Sequence, residues 1–475
     1  YTLSLHDALP ISIRLEERYT KEEIITMYFN EYDFLNQAIG IESAAHIYFD
    51  KAPRDLTISE SAILVGMFKN SSLYNPVRNP VGVKNRRNVV LSQMAKYKFI
   101  PESIRDSIQN TELEIKFTPQ GHDKGIATYF REYTRNFMHD WSKRNLKADG
   151  TEYNIYSDGL KIYTTIDSKM QRYAENAVGS HMRNLQKEFD KQNRNNDLAP
   201  FREVTKEEVD FILKSAMKRS DRWRKMKKLG KSEKEIKASF YKKTNMRIFA
   251  WSGDIDTLMT PMDSIRYHKS ILQASLMSMT PQTGEVKAWV GGINYKYFKY
   301  DMVRKGKRQI GSTFKPFVYA TVIDQMHMSP CDTLPNTLHT IEVGKYGLNE
   351  PWTPKNSSDK YGGMLTLKAA LAQSINTVTA RLIDRVGPKP VLNLVRKMGV
   401  DTKKILEVPS IALGTPDVSL YEMVGAYSTF ANKGVYIKPS LITRIEDKNG
   451  TVLYQHVPET RDVLSEEAAY VTVSL

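Results

Sequence analysis

One stretch of the sequence decides the fold: Arg308-Gln309-Ile310-Gly311-Ser312-Thr313-Phe314-Lys315-Pro316-Phe317. Gly311 lets the backbone turn sharply, and Pro316 is tolerated only in the first turn of a helix. The stretch therefore predicts a helix that begins near Ser312, with Ser312 and Thr313 available to cap it. Lys315 then lies one turn later, on the same face as Ser312.

Ser312 and Lys315 together have the composition of a nucleophile site. A serine hydroxyl is a poor nucleophile until a base removes its proton, and a lysine whose pKa is lowered by burial can be that base. The helix dipole favours negative charge at Ser312. The same four-residue pattern also arises by chance on ordinary helices. The interpretation therefore depends on partners elsewhere in the chain.

The composition is that of a multidomain globular protein. At 475 residues the chain is too long for one ordinary core, so two or three domains are expected. Its 41% hydrophobic and 26% charged residues are typical of a folded protein. The single cysteine, Cys331, excludes an internal disulfide and is predicted to be a small buried side chain.

The positive charge is concentrated in one segment. The net charge is +15, and residues 181–248 hold 20 Lys/Arg against 10 Asp/Glu, a local surplus of +10. Residues 186–265 are predicted to be a basic insertion. Two alternatives stay open for it: a solvated charged helical hairpin, which is favoured, or a surface for anionic phospholipid, polymer or a protein partner. No nucleic-acid-binding motif accompanies the charge, so no nucleic-acid partner is expected.

Both ends of the sequence are expected to be artificial boundaries. Tyr1 to Ile11 match the translation of a common sequencing adapter, so residues 1–12 are predicted to be an adapter-derived artefact. At the other end, Ser465 opens a capped helix that stops at Leu475 without a glycine or a polar tail. No apolar run is long enough to span a membrane.

Residues 13–98 have the pattern of successive helices, two of them opened by capping boxes at Thr20 and Thr57. A series of motifs, in order, resembles the later part of the peptidoglycan glycosyltransferase family 51 domain: Tyr28-Phe29-Asn30, Gly40 to Ala45, Tyr48 to Lys51, Tyr74-Asn75-Pro76 and Arg86-Arg87. That family has a lysozyme-like helical fold and polymerises lipid II. Its two catalytic glutamate motifs are not found in this chain, so this lobe is expected to lack glycosyltransferase activity as given.

A second resemblance covers the C-terminal half. Two predicted strands, Gln273–Met279 and Glu285–Gly292, precede the Ser312 helix. This order resembles the transpeptidase domain of penicillin-binding proteins. Further motifs agree with it in family order: Trp352 to Asn356, Gly363 to Leu371, Ala412 to Thr415 and Ala426 to Gly434. The chain is thereby identified as a member of the class A, bifunctional penicillin-binding proteins, truncated at both ends.

The resemblance implies an α+β multidomain fold. A partial lysozyme-like all-α glycosyltransferase lobe is expected at 13–98 and a linker region at 99–185, followed by the basic insertion at 186–265. An incomplete α/β transpeptidase domain, of the serine β-lactamase-like fold, is expected at 266–475.

The resemblance also gives Ser312 and Lys315 their partners, in the motif Ser374-Ile375-Asn376. Ser374 would relay a proton between Lys315 and the leaving group. Asn376 would hydrogen-bond Lys315 and the substrate amide. The alternative is that Ser374 merely caps the helix that follows. The four predicted catalytic residues are therefore Ser312, Lys315, Ser374 and Asn376.

The third motif of the family, Lys-Thr/Ser-Gly, does not occur in this sequence and is expected to lie beyond Leu475. Because losing one oxyanion donor costs about 10²–10³ in rate, the chain as given is expected to be poorly active or inactive. The resemblance implies no cofactor for the transpeptidase and a divalent cation for an intact glycosyltransferase. The implied partners are lipid II, glycan strands, stem peptides, β-lactams, other cell-wall synthesis proteins and, through a missing N-terminal helix, the inner membrane at its periplasmic face.

Two alternative functions remain to be distinguished from this one. One is a β-lactamase or carboxypeptidase with the same serine chemistry, against which the glycosyltransferase-like lobe argues. The other is a non-catalytic wall-binding or scaffold protein. Labelling with a fluorescent penicillin separates the transpeptidase from the scaffold.

Overall fold

The computed structural model describes residues 5–36, 38–118 and 125–475, and the chain divides into two compact units. The first unit takes in the described residues up to 118 together with 137–161 and 446–451. The second takes in 125–136, 162–445 and 452–475. The domain boundaries predicted from the sequence stay predictions.

The first unit is mainly helical. Among the described residues, six α-helices come before residue 118: α1 (Leu5–Arg18), α2 (Lys21–Glu31), α3 (Ile41–Phe49), α4 (Ile58–Met67), α5 (Pro80–Lys96) and α6 (Glu102–Gln109). The predicted capping boxes at Thr20 and Thr57 are confirmed, since each threonine accepts a hydrogen bond from the glutamate amide three residues later. The core of this unit lies between α3 and α4, where Tyr48 and Leu64 are fully buried.

The second unit contains most of the remaining helices. After α7 (Thr128–Arg144), which contributes residues to both units, they are α8 (Ser168–Gln192), α9 (Lys206–Arg219), α10 (Asp221–Lys228), α11 (Glu233–Ser239), α12 (Pro261–Ser270), α13 (Lys315–Met326), α14 (Leu367–Ala372), α15 (Asn376–Val386), α16 (Pro388–Lys397), α17 (Leu420–Ala431) and α18 (Glu466–Ser474). The side chains of Asp167 and Thr205 cap α8 and α9.

The strands are short and pair into small sheets. They are β1 (Lys161–Thr164), β2 (Thr244–Ile248), β3 (Ile255–Met259), β4 (Leu276–Met279), β5 (Val286–Val290), β6 (Lys307–Gln309), β7 (Thr333–Pro335), β8 (Met364–Thr366), β9 (Asp417–Ser419), β10 (Val435–Ile437), β11 (Ile442–Glu446), β12 (Val452–Gln455) and β13 (Thr460–Asp462). The sheet orders are β1-β11-β12, β10-β13, β2-β3, β4-β5, β6-β9 and β7-β8. The predicted hairpin is confirmed as β4–β5, with a register shift between Ser278 and Met279.

The largest hydrophobic cluster lies around α13 and α15. Phe317, Val318 and Val322 of α13 are 0% exposed, as are Val378 and Leu382 of α15. Burying a side chain of this kind stabilises the fold by roughly 1.5–3 kcal/mol. The two helices are therefore held rigidly against each other, and residues at their N-terminal ends keep fixed positions.

Two details differ from the predictions. Cys331 is exposed and not buried, because it lies in the polar turn between α13 and β7, where its amide donates to the Ser329 hydroxyl. The α-helix predicted to begin near Ser312 begins at Lys315 and is preceded by a 3₁₀ turn, Gly311–Phe314. Pro316 does lie in the first turn of this helix, as predicted.

No helix among the described residues combines the length and the apolar character needed to cross a bilayer.

Candidate active site

Ser312 lies on the surface of the second unit, in the 3₁₀ turn that leads into α13. Neighbouring segments hold this turn by its backbone. The Gly311 amide donates to Gly414 O at 2.9 Å, and the Tyr427 hydroxyl donates to Thr313 O at 2.7 Å. The turn is thus fixed on both sides of Ser312, while the Ser312 side chain stays accessible.

The contact between Gly311 and Gly414 leaves no room for a side chain. A Cβ atom on Gly414 would lie 1.8 Å from Gly311 O, and Gly414 has a φ of +76°. Only glycine satisfies both conditions, because other residues rarely adopt this φ and always carry a Cβ atom. This close approach explains why a glycine is needed opposite the turn that carries Ser312.

Lys315 is buried and fully hydrogen-bonded. Its side chain, in a residue only 1% exposed, makes three contacts from Nζ: 2.6 Å to Ser374 O, 3.0 Å to Ser374 Oγ and 2.7 Å to Asn376 Oδ1. The structure therefore brings Lys315, Ser374 and Asn376 together from α13 and from the segment that opens α15. None of these three acceptors carries a formal charge, so none of them neutralises an ammonium ion.

Burial lowers the pKa of Lys315 from its ordinary value to about 8. The cause is desolvation, which disfavours the charged form of a buried amine. At neutral pH roughly one molecule in ten then carries a neutral Lys315, because the ratio of the two forms changes tenfold per pH unit. Lys315 is therefore poised to accept a proton.

Two atoms of Ser374 accept hydrogen bonds from Lys315 Nζ. The backbone of Ser374 has a φ of +54°, a left-handed conformation that costs a non-glycine residue about 1–3 kcal/mol. In this conformation both the carbonyl oxygen and the hydroxyl contact Lys315 Nζ. The alternative that Ser374 merely caps α15 is wrong, because the N-cap residue is Ile375 and no side-chain cap bond is made there.

The cap of α15 comes from a residue that the sequence analysis did not assign to the site. Asn356 Oδ1 accepts from the backbone amides of Asn376 and Thr377, at 3.0 and 3.1 Å. Asn356 is 5% exposed, and its Nδ2 donates to Asn336 Oδ1 at 2.8 Å and to Lys360 O at 2.9 Å. Asn356 thus fixes the end of the helix on which Asn376 lies.

The orientation of the Asn376 amide follows from a second contact. Asn376 Nδ2 donates to Lys355 O at 2.8 Å, and a carbonyl oxygen can only accept. Its Oδ1 must therefore face Lys315. Asn356 belongs to the Trp352–Asn356 motif quoted above, but the sequence alone gives no sign that Asn356 caps a helix 20 residues later.

The Ser312 hydroxyl has no hydrogen-bond partner in the described part of the chain. It lies three residues before Lys315, and in a 3₁₀ turn residues three apart eclipse one another. Catalytic contacts are often long in a free enzyme and tighten when substrate binds. The predicted cap bond from Ser312 is not made, so its hydroxyl is not engaged elsewhere.

A cavity of about 600 Å³ lies beside the 3₁₀ turn that carries Ser312. Its mainly apolar lining includes Ile310, Thr313, Met423 and Tyr427. Among the described residues, no group of three or more His, Cys, Asp or Glu side chains is placed to hold a metal ion.

Three family models match the chain. The transglycosylase model matches residues 6–95, the penicillin-binding protein middle domain 196–272, and the penicillin-binding protein transpeptidase domain 274–474. The middle-domain range overlaps most of the segment predicted as a basic insertion. The first match begins at residue 6, inside the segment predicted to be adapter-derived.

Curated relatives and a solved structure agree with these matches. Penicillin-binding protein 1A of Aquifex aeolicus is 30% identical over 481 residues, which cover 98% of this chain and 62% of the relative. Penicillin-binding protein 1A of Pseudomonas aeruginosa is 28% identical over 497 residues, which cover 97% and 57%. The chain therefore spans less than two thirds of either relative. The crystal structure of penicillin-binding protein 1A from Haemophilus influenzae superposes on this chain with a TM-score of 0.60, at 23% sequence identity. The match covers 95% of this chain and 72% of the Haemophilus chain, so the two have the same fold.

Proposed function

Since this chain belongs to the class A, bifunctional penicillin-binding proteins, we propose that Ser312 is the nucleophile of a D-Ala-D-Ala transpeptidase. The observation that carries the proposal is the buried amine of Lys315. It lies one turn after Ser312 and is held by Ser374 and Asn376.

In the first step, the neutral amine of Lys315 accepts the hydroxyl proton of Ser312. Ser312 Oγ forms a bond to the carbonyl carbon of the penultimate D-Ala, and the amide bond to the terminal D-Ala breaks. The positive end of α13 favours the alkoxide at Ser312. The leaving amine must gain a proton, and Lys315 returns one to it through the Ser374 hydroxyl.

The hydrogen bonds around Lys315 suit this relay. Two hydrogens of the amine are held by Ser374 O and Asn376 Oδ1, which only accept. The third contact is the Ser374 hydroxyl, which accepts from an ammonium and donates to a neutral amine. The Ser374 hydroxyl therefore reverses its role each time Lys315 gains or loses a proton.

In the second step, an amine of another stem peptide attacks the acyl-serine. It loses a proton along the same route, a new amide bond forms, and Ser312 Oγ is released as a hydroxyl. β-Lactams enter at the first step, because Ser312 opens their amide bond and keeps the acyl group. Every proton in this scheme moves between Ser312, Lys315, Ser374 and the substrate amines, and the scheme uses no cofactor.

The proposal for the intact protein includes a second activity. A lipid II-polymerising glycosyltransferase, with a divalent cation, would make the glycan strands that the transpeptidase cross-links. The transglycosylase match at 6–95 supports it. Substrates carried on lipid place the intact protein at the inner membrane, with both domains on the periplasmic face.

Fluorescent penicillin tests the transpeptidase proposal on the product of the complete gene. Ser312→Ala should remove the covalent label entirely. Lys315→Met should slow labelling by about 10²–10⁴, the usual contribution of a positioned base. The measurement is the rate of label incorporation, resolved on a denaturing gel.

Ser358→Ala is the matched control, because Ser358 is an exposed serine of the same unit whose hydroxyl only accepts from a nearby backbone amide. It should label like the wild type. A folded Ser312→Ala protein that still carries the label would refute the assignment of the nucleophile. A wild type that is never labelled would refute the transpeptidase function.

A further inference from the structure

The helices α9, α10 and α11 carry an unusual charge surplus. Residues 211–243 contain thirteen Lys and Arg against three Asp and Glu, a surplus of ten in one short segment. The helices have a core of their own, in which Trp223 and Phe240 are buried. Trp223 is therefore part of the fold, and the binding capacity of this region has to come from other residues.

A groove lies on the solvent side of this cluster, between α9 and α11. It has a volume of about 380 Å³ and is lined by Phe211, Lys214, Lys218, Lys237 and Tyr241. Along α9, the residues Val209, Leu213 and Met217 face the core. Phe211, Lys214 and Lys218 recur at helical spacing on the opposite face. The groove therefore opens on the lysine-bearing face of α9, and the buried Met217 lines it from the side of the core.

The ammonium groups at the groove are only partly neutralised. Glu233 lies 3.1 Å from Lys237 Nζ and 4.0 Å from Lys218 Nζ. Lys237 first, and then Lys218 and Lys227, hold the pKa of Glu233 below its ordinary value. Glu233 therefore faces three lysines, and Lys214, the remaining lysine of the groove, is paired with Asp210 at 2.5 Å. On the adjoining α10, Lys225 and Lys228 are exposed and have no carboxylate partner among the residues that the structure describes.

Apolar side chains lie exposed beside these charges. Phe211 is 72% exposed and Tyr241 is 59% exposed, and both line the groove. Leu229, in the turn after α10, is 77% exposed. Single exposed apolar residues are ordinary. Two rings on one groove of lysines, with an exposed leucine at the end of the adjoining helix α10, form the combination found where proteins lie in a membrane interface.

We propose that this groove, with the adjoining end of α10, is an interfacial site for anionic phospholipid. The lysines bind the lipid phosphates, and the two rings and Leu229 enter the boundary between headgroups and acyl chains. A soluble polyanion would use the lysines but would gain nothing from an aliphatic side chain such as Leu229. The proposal concerns a surface separate from Ser312 and does not depend on the transpeptidase assignment.

Vesicle co-sedimentation tests the proposal with the whole chain. Vesicles of phosphatidylglycerol mixed with phosphatidylcholine should bind the protein, and vesicles of pure phosphatidylcholine should not. Each groove lysine removed should weaken binding about fivefold, so Lys218→Gln with Lys237→Gln should weaken it roughly 25-fold. Lys403→Gln with Lys404→Gln removes the same charge from two exposed residues elsewhere in the chain and should leave binding nearly unchanged.

The double variant Phe211→Ser and Tyr241→Ser distinguishes lipid from other polyanions. It should weaken vesicle binding about tenfold and leave binding to polyglutamate or single-stranded DNA unchanged. Circular dichroism confirms that each variant is folded. If Lys218→Gln with Lys237→Gln weakens vesicle binding no more than Lys403→Gln with Lys404→Gln does, the proposal is overturned. Vesicle binding that is insensitive to the ring substitutions would overturn it too, in favour of a soluble polyanion.

Discussion

The depressed pKa of Lys315 has a consequence for stability that can be measured without any substrate. In the unfolded chain Lys315 titrates near its ordinary value of 10.5, and in the folded chain near about 8. Between these values the unfolded state binds more protons than the folded state. The free energy of unfolding therefore rises with pH across this window.

The size of the effect follows from the two pKa values. Below about pH 8 the folded protein bears the full cost of burying the ammonium ion, and above it this cost is progressively relieved. From pH 7 to pH 10, linkage gives a gain of about 2.5 kcal/mol from Lys315 alone. Many other groups titrate in this range, so the effect has to be isolated by comparison with a variant.

Urea denaturation at pH 7 and pH 10 makes the comparison. Lys315→Met removes the titrating group, so the stability gained between the two pH values should be about 2.5 kcal/mol smaller in this variant than in the wild type. Lys404→Met, which changes an exposed lysine, should behave like the wild type. If the variant Lys315→Met gains as much stability as the wild type, Lys315 is not desolvated and cannot be a neutral base at pH 7.

Three further predictions concern the frame of the site. Asn356→Ala leaves two amides at the start of α15 without their acceptor. Urea denaturation should therefore show a free energy of unfolding lower by about 2–5 kcal/mol. A decrease below about 0.5 kcal/mol, roughly the effect of an ordinary surface substitution, would contradict this prediction. Gly414→Ala places a Cβ atom in steric conflict with Gly311 O and should lower both the stability of the protein and the rate of penicillin labelling. Gly253→Ala, at a glycine that also has a positive φ but open space around it, should leave the labelling rate unchanged. The rate of acylation by penicillin should rise with an apparent pKa near about 8; a pH-independent rate from pH 6 to pH 9 would contradict the role of a titrating amine.

Local features of the fold could be predicted from the sequence. The capping boxes at Thr20 and Thr57 could be predicted because donor and acceptor lie three residues apart. The hairpin β4–β5 could be predicted from two apolar strands joined by a turn. In each case the residues that make the interaction are neighbours in the sequence.

Features that depend on distant residues could not be predicted. The amide of Asn356 caps a helix that begins 20 residues later, so α15 could be placed but the origin of its cap could not. The left-handed backbone of Ser374 belongs to the local turn that ends α14, where the Ser374 and Ile375 amides donate to Leu371 O and Ala370 O. Its contact with Lys315, 59 residues away, could not be predicted from that turn. Cys331 was expected to be buried from residue type alone, and the polar turn around it decides otherwise.

The site itself was predictable in part. The sequence supplied Ser312, Lys315, Ser374 and Asn376, and the structure brings the last three into contact. The start of α13 was placed three residues early, because a 3₁₀ turn and the first turn of an α-helix have similar sequence requirements. That difference matters here, since it leaves the Ser312 hydroxyl free of any capping bond.

The exposed thiol of Cys331 makes the protein convenient for spectroscopy. The sequence contains one cysteine, so a maleimide dye attaches at a single known position without any engineering. Between this position and the nucleophile turn runs α13, whose 12 residues span about 18 Å. A dye on Cys331 and a fluorescent penicillin on Ser312 would thus form a donor–acceptor pair across one rigid helix. Resonance energy transfer within this pair would report acylation in real time.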